Sequence, residues 1–178
     1  IELSSALCGL NRIGHFDGVC TVVYRLLNLI KPKNLYLGEK DWQQLLILKN
    51  LVLTKKLNVS IKSIPTQRDF DGIPLSSRNV HLSKNERKLI RFFSSELLEA
   101  KKNFQQDKKI NLKEIIKKLS SKKISIEYLE HLHPHTLQKA RPEDNISLLA
   151  GAIRCGETRL IDHVFLMKDR KSTRLNSS

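Results

Sequence analysis

The segment Asn34-Leu35-Tyr36-Leu37-Gly38-Glu39-Lys40-Asp41-Trp42-Gln43-Gln44 decides the fold. Its first four residues form a short β-like run that Gly38 ends. Asp41 stands where a helix cap belongs, and leucine-dense chain follows to about Lys56, which predicts a helix buried on more than one side. Val59, Ile61 and Ser63 then alternate into a second strand closed by Pro65. Strand, helix and strand with short connections predict a parallel sheet carrying a crossover helix. Upstream, residues 4–18 read as loop around Gly9, Gly14 and Gly18. From Val19 a helix is expected, because Val22, Val23, Leu26, Leu27 and Ile30 recur at helical spacing until Pro32 stops them.

Downstream of Pro65 the pattern changes. Residues 68–74 are turn-rich around Asp71-Gly72, and Ser83 with Glu86 three residues later reads as a capping box. It opens a helix with Leu89, Ile90, Phe93, Leu97 and Leu98 on one face, and Asn111 with Glu114 starts another carrying Ile115, Ile116 and Leu119. Strands are expected at 125–132, 146–154 and 158–164, the last two joined by a hairpin turn at Cys155-Gly156-Glu157. An α/β part (1–64) followed by a small α+β part (65–168) is the organisation these patterns predict. The last ten residues, 169–178, resemble a translated sequencing adapter and are set apart as a non-native tail expected to pack loosely.

The chain of 178 residues is 40% hydrophobic and 28% charged, which suits a packed core. Its net charge is +14, or +12 without the tail, but the lysines come as pairs on exposed faces with no interleaved aromatics. That pattern reads as solvated surface rather than a nucleic-acid site. The scattered cysteines Cys8, Cys20 and Cys155 signal neither a disulfide framework nor a zinc site. No apolar run is long enough for a bilayer, and a cytoplasmic protein lacking its beginning is the expectation.

Three segments carry chemistry. Gly38-Glu39-Lys40-Asp41 lies between a parallel strand and a helix, where unpaired backbone N–H groups and a lysine suit phosphate oxygens. Most lysines at such corners nonetheless merely ride the surface. Leu75-Ser76-Ser77-Arg78-Asn79 offers two hydroxyls and a guanidinium on one loop; the residues alone leave open whether they bind an anion or satisfy their own backbone. Arg12 and His15 share a glycine-bounded loop before a helix. The run His131-Leu132-His133-Pro134-His135 invites a metal reading, but Pro134 ends the strand, and a polar strand end is preferred.

Taken in order, Gly-His-Phe-x-Gly-Val, Gly-Glu-Lys-Asp-x-Gln-Gln, Asp-Gly-x-x-Leu-Ser-Ser-Arg-Asn and Arg-Leu-Ile-Asp resemble the pantothenate synthetase family over residues 7–166, most specifically at 38–44 and 75–79. Ile13 stands where that family commonly has proline or another residue in this loop. The resemblance implies a C-terminal part of a Rossmann-like domain of the HIGH-type nucleotidyltransferase superfamily, followed by a small α+β domain. It further implies an ATP-dependent, AMP-forming ligase that joins pantoate to β-alanine through pantoyl adenylate, with Mg2+ accompanying ATP as co-substrate and no tightly bound cofactor. Gly38, Glu39, Lys40 and Asp41 would line the ATP site, Ser76, Ser77 and Arg78 would contact the triphosphate, and Gln67 and Leu75 would lie near the nucleotide. Of these, Lys40, Ser76, Ser77 and Arg78 would do the catalytic work, and Lys40 and Ser76 are expected on one cleft. Gln44 would bind pantoate, with Arg12 and His15 close by. A cytoplasmic homodimer is implied, with no nucleic-acid or membrane partner and no resident metal. The family's upstream Met-Gly-x-Leu-His-x-Gly-His motif does not occur here, so this chain alone is expected to be inactive. Two rivals stand beside this reading: another adenylylating enzyme of the superfamily, and a non-catalytic basic module.

Overall fold

The computed structural model describes residues 2–9 and 12–168. The chain divides into two compact units, with the division between Gln67 and Arg68, three residues beyond the end expected for the first domain. The tail assigned to 169–178 lies outside the described residues.

In the first unit two 3-10 turns (Glu2–Ser5 and Leu7–Gly9) precede helix α1 (His15–Ile30), strand β1 (Asn34–Gly38), a 3-10 turn (Glu39–Asp41), helix α2 (Trp42–Thr54) and strand β2 (Ser60–Ile64). The strands β1 and β2 pair in parallel, from Asn34 opposite Ser60 to Gly38 opposite Ile64. The leucine density of α2 is used as expected: Leu45, Leu46, Ile47 and Leu48 are all buried, which requires cover on more than one side. Helix α1 departs from its reading in two ways. It begins at His15, four residues early, because Gly14 takes the left-handed conformation (φ 75°) at the N-cap, a start that carries no side-chain cap to read. Its regular apolar spacing also does not become a buried stripe. Phe16 and Leu27 are buried, whereas Val22 is 58% and Leu29 81% exposed. At its end Lys31 turns left-handed (φ 49°) and its N–H closes on the Leu27 carbonyl, consistent with Pro32 forbidding a further helical residue.

The second unit places helices α3 (Lys84–Gln105) and α4 (Leu112–Ser121) with an antiparallel sheet of β3 (Ser125–Leu132), β4 (Ile146–Cys155) and β5 (Thr158–Met167), in the order β3-β4-β5. The capping box is real: Ser83 Oγ accepts from the Glu86 N–H at 3.2 Å, and the Glu86 carboxylate accepts from the Ser83 N–H at 2.8 Å. Ile90, Phe93, Leu97 and Ala100 of α3, with Ile115 and Leu119 of α4, are buried in one cluster with Leu129, Leu149, Ile153 and Val164 from the sheet. Leu98 and Ile116, expected on those faces, are partly exposed instead. Gly151 of β4 is demanded by this packing, since a Cβ there would come within 2.9 Å of the Phe93 ring. Strand β5 runs three residues past its expected end, pairing as far as Met167 opposite Ile146. Among the described residues no helix is long and apolar enough to cross a membrane.

Candidate active site

The first unit presents the Gly38–Asp41 corner as the sequence places it, between β1 and α2. Gly38 has ordinary extended angles (φ −71°, ψ 134°), and a Cβ on it would meet nothing within 4 Å. The chain's own packing therefore does not require glycine there, and its effect is to leave the backbone bare on the outside of the corner. Asp41 sits at the N-cap position of α2, but its carboxylate makes no cap hydrogen bond, contrary to the capping role expected of it. Its carboxylate lies 3.9 Å from the Lys40 ammonium instead.

The adjacent glutamines part company. Gln44 is half-buried, whereas Gln43 is 6% exposed and fully employed. Its Oε1 accepts from the Cys8 N–H at 3.1 Å, and its Nε2 donates to the carbonyls of Leu3 at 2.7 Å and Ala6 at 2.6 Å. A single side chain thus fixes the 3–8 segment against the first turn of α2. Sequence reasoning passed over Gln43, since its partners are main-chain groups 35 to 40 residues away that leave no residue-type signal. The same segment borders a cleft of about 400 Å³ lined by Ser4, Gly9, Arg12, Gly14 and Phe16 among others. Arg12 is on that cleft; His15 is not among its lining residues, and its ring lies 5.1 Å from that of Phe16. Gln67, closing this unit, is exposed and donates to the Pro65 carbonyl at 3.2 Å.

In the second unit Ser76 caps a short 3-10 turn (Ser77–His81), its Oγ accepting from the Arg78 N–H at 3.3 Å. One of the two hydroxyls is therefore committed to local backbone. Leu75, Ser77 and Arg78 are exposed, and Arg78 forms no ion pair among the described residues. Asn79 donates from Nδ2 to the Pro74 carbonyl at 3.0 Å, drawing the turn closed.

What holds this loop is the Arg68–Pro74 hairpin beneath it. Arg68 engages Asp162 of β5 with two parallel bonds of 2.9 Å and also donates to the carbonyls of Gly72 and His163. Asp162 is buried, so this is a forked ion pair removed from water. On the other side Arg87 of α3 binds both Asp69 and Asp71. Those contacts hold the Asp69 carboxyl below the usual carboxylate range, chiefly through its bond from the guanidinium. The Arg-Leu-Ile-Asp run thereby gains a physical role: its aspartate anchors the loop from the sheet.

The histidine run divides. His131 Nε2 lies 2.7 Å from Ser147 Oγ, while His133 Nδ1 accepts from the backbone of His135 and Thr136 at 3.3 Å. His131 Nε2 and His133 Nδ1 thus serve different partners.

The sequence profile of the pantoate-beta-alanine ligase family matches residues 1–165. The chain belongs to that family. A bifunctional pantoate ligase/cytidylate kinase of Prochlorococcus marinus (strain MIT 9215) is 95% identical over 170 residues, covering 96% of this chain and 33% of the relative. A protein of the same description from Synechococcus sp. (strain CC9605) is 48% identical over 165 residues, covering 93% and 33%. Among solved structures, pantothenate synthetase from Thermus thermophilus superposes with a TM-score of 0.83 at 34% identity, over 92% of this chain and 60% of that one. Pantoate-beta-alanine ligase from Francisella tularensis, complexed with beta-gamma ATP and beta-alanine, gives 0.72 at 35%, over 92% and 55%. The chain spans about a third of the length of the curated relatives it matches. The fold is accordingly that of the pantoate-beta-alanine ligase family, a HIGH-superfamily nucleotidyltransferase followed by a small domain.

Proposed function

We propose that this chain forms part of an ATP-dependent ligase that condenses pantoate with β-alanine, giving pantothenate, AMP and pyrophosphate. The observation that carries the reading is the family match over residues 1–165, which takes in both the Gly38–Asp41 corner and the Ser76–Arg78 loop. The Francisella relative's complex with an ATP form and beta-alanine supports the two substrates. In the first step a pantoate carboxylate oxygen attacks the α-phosphorus, the bond to the β-phosphate oxygen breaks, and pyrophosphate leaves. In the second, the β-alanine amine attacks the acyl carbon of pantoyl adenylate and AMP departs. Mg2+ enters with ATP as part of that substrate.

Gly38, Glu39, Lys40 and Asp41 would line the nucleotide, the bare backbone at Gly38 allowing close approach and Lys40 meeting phosphate oxygens. Ser76, Ser77 and Arg78 would donate to phosphates, Arg78 with its exposed fork. Gln44 would orient pantoate, Gln67 and Leu75 would border the nucleotide, and Arg12 and His15 would lie near the substrates. A cytoplasmic homodimer completes the reading.

The test grafts this segment into the 95%-identical relative and compares adenylate formation across variants. Lys40→Ala should cost about 2–4 kcal/mol of transition-state stabilisation, the usual loss for one donor aimed at developing charge. Gln44→Ala should act through the KM for pantoate with ATP binding preserved. Small, equal effects from both would place neither residue in the site.

A further inference from the structure

Helix α3 runs 22 residues, so its two ends stand about 30 Å apart at 1.5 Å per residue. The Ser76–Arg78 loop precedes its first turn. A cavity of about 510 Å³ opens at its last, built wholly from the second unit. Such a volume is in the range of small organic ligands rather than of a lone inorganic ion. Its floor is partly apolar, from Phe104 and Ile110, and partly polar, from Ser147, which is 1% exposed, and the half-buried His131. The His131 ring meets Phe104 edge-on, with centroids 6.3 Å apart, so the two rings fix one another.

The rim is cationic. Lys108 and Lys109 stand on one side, and Arg141 and Lys168 line it as well, against the two carboxylates of Asp107 and Asp144. Asp144 is already committed: it accepts the Arg141 N–H at 2.8 Å and returns its own N–H to the Arg141 carbonyl. Lys168 braces the same turn by donating to the Pro142 carbonyl at 2.9 Å, and Ala140 ties it to β3 through the His131 carbonyl at 3.0 Å. Arg141 and Lys109 make no ion pair among the described residues. A braced turn, two uncommitted cations and a floor of rings over a buried hydroxyl form a concave site, unlike the solvated lysine pairs elsewhere on this chain.

We infer that this cavity is a second ligand site, taking a phosphomonoester with a small apolar or aromatic body. The ester's dianion suits the Arg141 fork and the Lys109 ammonium, and its organic body fits over Phe104 and Ile110. The inference does not depend on the ligase reading, because none of the residues proposed for that reaction lines this cavity.

The test uses the purified chain, with cytidine monophosphate, cytidine and inorganic phosphate as probes at constant ionic strength. The reporter is the His131 ring resonance, assigned by comparison with His131→Asn. Cytidine monophosphate should shift it saturably, and cytidine or phosphate alone should bind far more weakly. Lys109→Ala with Arg141→Ala should weaken binding by at least about tenfold, the loss expected for one charge-assisted contact. Lys88→Ala with Arg91→Ala removes equal charge from the first turns of α3 and should leave binding unchanged; circular dichroism checks that both variants fold. A His131 resonance unmoved by cytidine monophosphate overturns the inference. Equal weakening by both double variants also overturns it, because binding would then follow net charge rather than this cavity.

Discussion

Replacing Asp162 by asparagine removes one charge and almost no volume, which makes it a sharp test of how the Asp-Gly loop is held. The Asp162 side chain is 1% exposed and accepts two guanidinium bonds of 2.9 Å from Arg68, plus the His163 N–H at 2.7 Å. Asparagine would set an NH2 against one guanidinium N–H and leave the Arg68 cation without its counter-charge. Breaking a buried pair by removing one partner costs about 3–5 kcal/mol, and because Arg68 keeps 21% exposure the lower end applies here. With urea m-values of roughly 1–3 kcal/mol/M, the midpoint for the second unit should fall by about 1.5 M. The assay is urea unfolding followed by circular dichroism, beside trypsin cleavage within residues 68–74, which should accelerate in Asp162→Asn. Arg68→Met combined with Asp162→Leu should recover much of the loss, because it removes both charges together. A single-variant cost under about 1 kcal/mol would place the pair in the class of exposed ion pairs and refute the anchoring argument.

Gln43→Ala should leave α2 intact yet free the 3–8 segment. Loss of three bonds and exposure of their partners makes Cys8 label with a maleimide on the order of tenfold faster or more, while Cys155 labelling stays unchanged. Unaltered Cys8 labelling would show that other contacts hold the segment. Gly151→Ala should cost about 1–3 kcal/mol in the same urea assay, since the new methyl must displace the buried Phe93 ring. The carboxyls of Asp69, bonded by Arg87, and Glu86, bonded by Ser83, both titrate below their ordinary values. Their contribution is therefore complete above the unfolded values near pH 4 and disappears as pH falls through the lower folded ones. Stability should decline on acidification below about pH 4–5, and less steeply in Ser83→Ala with Arg87→Gln. Parallel slopes for the two proteins would deny these groups the role.

Features set by neighbours in the chain were legible. The Ser83–Glu86 box and the limits of β3 depend on local backbone chemistry, and the structure has them where the residues place them; the hairpin expected at Cys155-Gly156-Glu157 is there too, with Cys155 still paired in β4 opposite Thr158. Features set by distant partners were not. Nothing in the Gln43-Gln44 pair, set between Trp42 and Leu45, tells which side chain turns inward, and Arg68 finds Asp162 across 94 residues. Periodicity also foretold that α1 is a helix without foretelling burial, because spacing reports which residues share a face and not what lies over it. In the candidate site, the local commitment of Ser76 Oγ was among the alternatives its residue type allowed, whereas Asp41 stands at the N-cap position its residue type suggested and yet leaves the cap bond unmade, its carboxylate facing Lys40.

The hairpin at Asp71-Gly72 also bears on how the protein ages. Among aspartyl pairs, aspartate followed by glycine is the one most given to cyclising: the following backbone nitrogen attacks the side-chain carbonyl carbon, water is expelled to leave a succinimide, and hydrolysis reopens the ring as isoaspartate. In the folded chain the Gly72 nitrogen donates to the Asp69 carbonyl at 2.9 Å, and the Asp71 carboxylate is fastened to Arg87 Nε at 2.8 Å. Nucleophile and electrophile are each tied elsewhere, so ring closure has to wait for the loop to open. The ion pairs that shape this loop therefore also set its chemical clock, and whatever loosens Arg87 should shorten the time before the backbone acquires an extra methylene at residue 71.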